Sequence, residues 1–265
     1  MSMKSLIATL LITLPALTGT AGAAAAQATT SDSALHPLTT RDSSRGWQAV
    51  GRLNLGTQAF CTATLIAPDR VLTAAHCLFD RATGAPLDTG SITFLAGWRT
   101  GRAEAIRGIR RMAIEPGFQP GNGEALDRVA ADLALLELDQ PIRLPSITPL
   151  PLGGVVPARG ERVAVVSYAR ERAEAPSLQD RCTVMDQRPD GVMVLSCAID
   201  FGASGAPVFS YDGAEPRIVS VISARAESGA RQVALGMRLE GRIEALAARL
   251  GSPGGARDSA RFLRP

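Results

Sequence analysis

Glycine and proline punctuate the whole length of this chain. The 26 glycines and 17 prolines are spread rather than clustered, and they cut the apolar sequence into short stretches. Both residue types weaken a helix interior, whereas both serve the tight turns between short strands. With 46% apolar and 20% charged residues, the chain has enough to bury and little enough charge to fold as a globular protein. An all-β protein is the expectation.

From about Gly46 the strand candidates are 48–55, 60–67, 71–74, 92–95, 103–112 and 132–138, each bounded by turn residues. The segment 140–154 holds four prolines and ends in Gly153-Gly154, so it reads as an extended crossing linker. A second half follows, with candidates at 162–169, 182–185, 192–197, 207–211, 218–224 and 233–239. Six and six predict two similar six-stranded antiparallel β-barrels, the first over about 46–139 and the second over about 155–239. Ile243, Leu246 and Leu250 then recur at helical spacing before Gly251 and Pro253, which predicts a C-terminal amphipathic helix over 240–250 packed on the second barrel. The tail 251–265 is expected to be loose.

Residues 1–26 carry Lys4, an apolar run over 6–17 and a string of small residues with A-x-A spacing, the three parts of a secretory signal peptide. The apolar run is well short of the ~20 residues that span a bilayer, so cleavage is expected rather than anchoring, and no stable membrane association afterwards. Residues 27–45 are polar and read as a flexible leader or a short pro-segment, with Arg41 and Arg45 as possible processing sites. Export places the four cysteines in an oxidising compartment, where an even number suits two disulfides, with a zinc site as the weaker alternative. Lys4 is the only lysine, and its loss lowers the formal charge from +3 to +2. The densest basic cluster, Arg107, Arg110 and Arg111, reads as a solvated strand face, so no nucleic-acid partner is expected.

Three segments carry chemistry. The chain has two histidines, and His36 lies in the polar leader, which leaves His76 as the structured imidazole. It follows two alanines in Val71-Leu-Thr-Ala-Ala-His-Cys77, where a disulfide from Cys77 to Cys61 on the preceding strand would staple the corner. Ser204 lies between Gly202 and Gly205, in a segment able to turn sharply and to point the Gly202 and Ser204 N–H groups at one developing oxyanion. Asp132 begins the otherwise apolar run Asp132-Leu-Ala-Leu-Leu-Glu-Leu138. Such an acid either faces water or, if buried, needs a partner such as the second ring nitrogen of a histidine.

In the order His, Asp, Ser, these segments resemble the chymotrypsin and trypsin superfamily of serine endopeptidases over roughly residues 47–250. Thr73-Ala-Ala-His-Cys77 is similar to its histidine motif, Asp132-Leu-Ala-Leu135 to its aspartate motif and Gly202-Ala-Ser-Gly-Ala-Pro207 to its serine motif. Other triad enzymes use other orders. Ala203 stands where the animal digestive enzymes carry the aspartate of their activation switch, and Cys182 and Cys197 look like those of bacterial secreted, glutamyl-endopeptidase-like relatives.

The resemblance implies an active site between the barrels, with Ser204 as nucleophile, His76 as general base, Asp132 as orienter and the Gly202 and Ser204 N–H groups as oxyanion hole. It also implies disulfides Cys61–Cys77 and Cys182–Cys197, polypeptide substrates, a monomer, a secreted or periplasmic location, and no cofactor or metal. Ser223 and Ala224 are expected to meet the peptide through their backbone. Arg225 would favour an acidic residue before the scissile bond and Asp200 a basic one. The alternative is a catalytically silent two-barrel homologue acting as a protein-binding module.

Overall fold

The computed structural model describes residues 35–57, 59–121, 126–211, 215–229 and 231–251. The expected signal peptide, residues 27–34 of the leader and the expected tail beyond Gly251 lie outside the described residues.

After β1 (His36–Pro37), six strands build the first barrel: β2 (Val50–Leu55), β3 (Ala59–Ala67), β4 (Arg70–Thr73), β5 (Ile92–Ala96), β6 (Ala105–Ile114) and β7 (Ala134–Leu138). They close in the order β2-β3-β4-β7-β6-β5, all pairs antiparallel, around fully buried side chains that include Leu53, Leu65, Leu72 and Phe94. A short helix, α1 (Leu126–Ala130), precedes β7. The proline-rich stretch after β7 makes no strand of its own. It runs along both halves, with Leu150 N–H donating to Leu65 O (3.0 Å) and Gly153 N–H to Ile218 O (3.1 Å).

The second barrel comprises β8 (Arg162–Ala169), β9 (Arg172–Gln187), β10 (Val192–Leu195), β11 (Pro207–Ser210), β12 (Arg217–Ser228) and β13 (Arg231–Arg238). The order β9-β10-β13-β12-β11-β8 is closed by the pairing of β8 with β9. The protein is therefore all-β, two six-stranded antiparallel barrels and a C-terminal helix, as the strand pattern predicts. Both cysteine pairs form disulfides, Cys61–Cys77 and Cys182–Cys197, in agreement with an oxidising compartment. Among the described residues no helix is long and apolar enough to cross a membrane.

Three features differ from the sequence reading. β9 starts ten residues before the expected 182, because Pro176 and the charged residues around it hide the strand; neighbours on both edges, β1 and β8, hold it nonetheless. The terminal helix α2 (Ile243–Gly251) lies against β6 and β7 of the first barrel, not on the second. Its apolar face carries Leu246 and Leu250 as expected, but periodicity identifies a face and not the sheet that will cover it. Arg242 fixes the choice by donating to Ala130 O at 2.7 Å and to Glu115 Oε1 at 3.3 Å, both first-barrel groups.

The third difference is the leader. From Leu35 onward it is part of the fold: β1 pairs with β9, Leu38 N–H donates to Pro176 O (2.9 Å), and Arg99 Nη1 donates to Ser44 Oγ (2.6 Å). Leu38 is only 4% exposed, a single apolar anchor that the polar composition of the segment conceals. Leu38→Ala should therefore lower unfolding stability by about 3 kcal/mol in urea titration, whereas Leu35→Ala, at an exposed position, should change it by less than about 0.5 kcal/mol.

Candidate active site

The strand β4 ends in Thr73, and after Ala74 a single 3-10 turn, Ala75–Leu78, presents His76. Ala74 and Ala75 are fully buried, so nothing larger would let the turn press against the first barrel. Cys61–Cys77, with Cα atoms 6.3 Å apart, ties this turn to β3 one residue from the imidazole. The His76 side chain keeps 29% of its surface in solvent. Cys61, His76 and Cys77 cluster closely, but both sulfurs are spent in the disulfide and are not available as thiolate metal ligands.

Asp132 sits just before β7, where Asp132 N–H closes a turn on Val129 O (3.2 Å). Its carboxylate is 3% exposed and fully engaged. Oδ1 accepts the His76 backbone N–H at 2.8 Å, Oδ2 lies 2.6 Å from His76 Nδ1, and Oδ2 also accepts the Ser223 hydroxyl. Of the two settings open to this acid, facing water or buried with a partner, the structure takes the second. These bonds satisfy a carboxylate that burial would otherwise leave without partners, and they fix both the backbone and the ring of His76.

Ser223 reaches Asp132 because of a bulge. β12 pairs Ile222 with Gly236 and Ala224 with Leu235, so Ser223 is the extra residue, and its side chain is re-aimed out of the strand alternation. Sequence reading gave Ser223 a backbone role beside the peptide; the structure gives its side chain a bond to Asp132.

The Ser204 loop leaves the second barrel and plugs into the first. Ser204 O accepts Thr62 N–H (2.8 Å), Gly202 O accepts Thr62 Oγ1–H (2.8 Å), and Thr62 Oγ1 in turn accepts Tyr168 N–H (3.0 Å). Gly202 has φ +98°, and a Cβ there would collide with the Phe60 ring and come within 3.2 Å of Ala169 Cα. Gly205, φ +80°, is pressed against Thr62 O and Thr73 Oγ1. Any side chain at either position would push the loop off the first barrel. Within the loop, Ala203 N–H turns back to Asp200 O (2.9 Å), while the N–H groups of Gly202 and Ser204 have no acceptor among the described residues. Ala203 itself is fully buried in apolar surroundings with Ile199, Ala206 and Val208. Thr62 is the residue that sequence reasoning missed: a threonine in a strand gives no periodic signal of a role as bridge.

His76, Asp132 and Ser204 line one cavity of about 630 Å³, together with Ser223, Ala224, Arg225 and Asp200. The two residues with opposed expected preferences face each other, Arg225 Nη1 lying 3.6 Å from Asp200 Oδ1. Each therefore offsets the other's charge. His36, by contrast, lies away from this group, 3.8 Å from Asp180 on β9.

Residues 61–214, more than half of the chain, match the trypsin-like peptidase domain family, and the protein belongs to that family. A 90-residue stretch is 36% identical to the modular serine protease of Drosophila melanogaster, covering 32% of this chain but only 14% of that protein. A Glu endopeptidase solved in complex with MPD is similar over 78% of this chain and 93% of its own, with TM-score 0.64 and 17% identity. The scabies mite inactivated protease paralogue S-D1 is similar over 83% and 97%, with TM-score 0.64 and 15% identity. At these identities the solved structures establish the shared two-barrel fold. The family and its serine protease relative support a protease function.

Thr62→Val removes a fully buried hydroxyl that serves two backbone partners, Gly202 O and Tyr168 N–H. It should cost about 2 kcal/mol of unfolding stability, and Thr62→Ser should recover most of it, both measured by denaturant titration.

Proposed function

We propose that the protein is an exported serine endopeptidase in which Ser204, His76 and Asp132 form the catalytic triad. The observation that carries this reading is the doubly bonded His76–Asp132 pair in the cavity that Ser204 also lines. With Nδ1–H directed at the carboxylate, His76 Nε2 is the ring nitrogen available to accept the Ser204 hydroxyl proton. Ser204 Oγ attacks a peptide carbonyl as that proton moves to His76, and the imidazolium gains stability from the buried Asp132 charge. The oxyanion is received by the Gly202 and Ser204 N–H groups, which the loop leaves without internal acceptors. His76 passes the proton to the leaving amine, and an acyl-enzyme ester on Ser204 remains. Water, deprotonated by His76, hydrolyses the ester and restores Ser204. The two disulfides and the signal-like first 26 residues support export.

Incubation with a fluorophosphonate followed by peptide mass spectrometry should place the adduct on Ser204, and Ser204→Ala should take no label. Asp132→Asn should keep the fold yet lower kcat on a fluorogenic peptide by about 10⁴-fold, because the amide would hold the wrong histidine tautomer. An unlabelled Ser204 in a folded sample would sink the enzyme reading and favour a binding module built on the same barrels.

A further inference from the structure

Phe201, three residues before Ser204, keeps 43% of its surface exposed. Three guanidinium groups surround it. The Cζ atoms of Arg170, Arg225 and Arg81 lie 4.5, 5.3 and 5.6 Å from the ring centroid. They come from three separate places: Arg81 follows the turn that presents His76, Arg170 lies in the turn between β8 and β9, and Arg225 is on β12. The Arg170 backbone holds the arrangement by donating its N–H to Phe201 O at 2.8 Å. Three like charges around one ring repel one another, and the aromatic face offsets only part of that cost.

The nearby carboxylates leave the excess positive. Asp200 forms its ion pair with Arg225, and its charge also acts on the partly buried Arg172. Asp132 is buried against His76 and Ser223. Asp80 turns into its own loop, accepting the Ala82 and Thr83 N–H groups and the Thr83 hydroxyl; the Thr83 backbone bond is the main cause that holds its carboxyl below the usual range. Among the described residues, Arg81 and Arg170 have no carboxylate within ion-pair distance. The Phe201 ring gathers the guanidinium groups without neutralising them, so the charges of Arg81 and Arg170 stay open to a carboxylate from solution.

Arg81, Phe201 and Arg225 share the cavity lined by His76 and Ser204. A polypeptide bound for cleavage would enter this cavity; Arg170 does not line it and acts from beside the Phe201 ring. Resting on the protease reading above, we infer that Arg81 and Arg170, gathered around Phe201, form a subsite for an acidic side chain flanking the scissile bond in the polypeptide substrate. Arg225 is neutralised by Asp200 and plays the lesser part. The pairing thus moves acid recognition from the residue that the sequence suggests to two that it does not.

The test uses the full chain and quenched fluorescent peptides that keep one cleavable bond while Glu replaces Gln at each flanking position in turn. The Glu-to-Gln ratio of kcat/KM should rise to about fivefold at one position and shrink at high salt. In the double variant Arg81→Gln, Arg170→Gln that ratio should fall to about one, and in Arg81→Lys, Arg170→Lys most of it should survive, since charge rather than shape supplies the attraction. A ratio near one at every position in the wild type would overturn the inference, as would a preference that survives the double Gln variant and disappears only in Arg225→Gln. Tight heparin binding without any Glu preference would overturn it in favour of a polyanion surface. Fluorophosphonate labelling of Ser204 in the same samples separates the two readings: label without Glu preference defeats the subsite alone. If Ser204 takes no label, fluorescence anisotropy with the same Glu and Gln peptides still reads the subsite, equal binding overturning it.

Discussion

The joint between the barrels hangs on one threonine. Thr62 lies in the interior of β3, fully buried, and its backbone N–H, carbonyl and hydroxyl all leave the first barrel's own ladder to hold other parts of the chain. The carbonyl accepts the Thr73 hydroxyl at the end of β4, while the N–H and hydroxyl hold the Ser204 loop of the second barrel. A buried polar group without partners would be costly, so this residue acts as a register pin: only one placement of the loop satisfies all its bonds. Gly202 and Gly205 are the counterpart on the other side, since the approach that Thr62 demands leaves no room for a Cβ.

The His76 corner is built on the same logic. Two buried alanines let the turn approach, the Cys61–Cys77 bridge closes it from one side, and Asp132 fixes it from the other. Asp132 belongs to the segment that Arg242 anchors through Ala130 O, so the position of the carboxylate depends on a side chain that begins the C-terminal helix. Burial of Glu115, partly offset by Arg242, pushes its carboxyl above the usual range, a sign that this anchor is itself desolvated. Charge at the cavity mouth is organised differently. There Arg81 and Arg170 are exposed and gather on an aromatic ring rather than on carboxylates, which leaves them open to partners from solution.

Much of this was readable from residue order. Alternation bounded by turn residues located the first barrel's strands to within two or three residues, and the prolines of 140–154 marked the crossing. It failed where a strand is supported by neighbours instead of by its own pattern, as in β9 with Pro176, and where one apolar side chain anchors a polar segment, as with Leu38. In the site, His76, Asp132 and Ser204 were picked out together, by their order and by motifs similar to those of the family, and none of them alone. Ser223 was expected beside the peptide through its backbone, but its side-chain bond to Asp132 was not legible, because a bulge changed the face on which the side chain emerges and alternation assumes there is none.

The sequence by itself pointed to the fold class, to the two cysteine pairs and to the three residues proposed for the chemistry. The fold class follows from period-two apolarity and turn residues, and the cysteine pairing and site residues from the order of three motifs that resemble the family. Only the tertiary structure decided that Thr62 bridges the barrels, that Ser223 completes the shell around Asp132, that α2 covers the first barrel and that Arg225 and Asp200 cancel. Each of those is a contact between residues roughly 25 to 140 apart or between neighbours turned by a bulge, and the choice among possible partners is made by packing and charge in three dimensions.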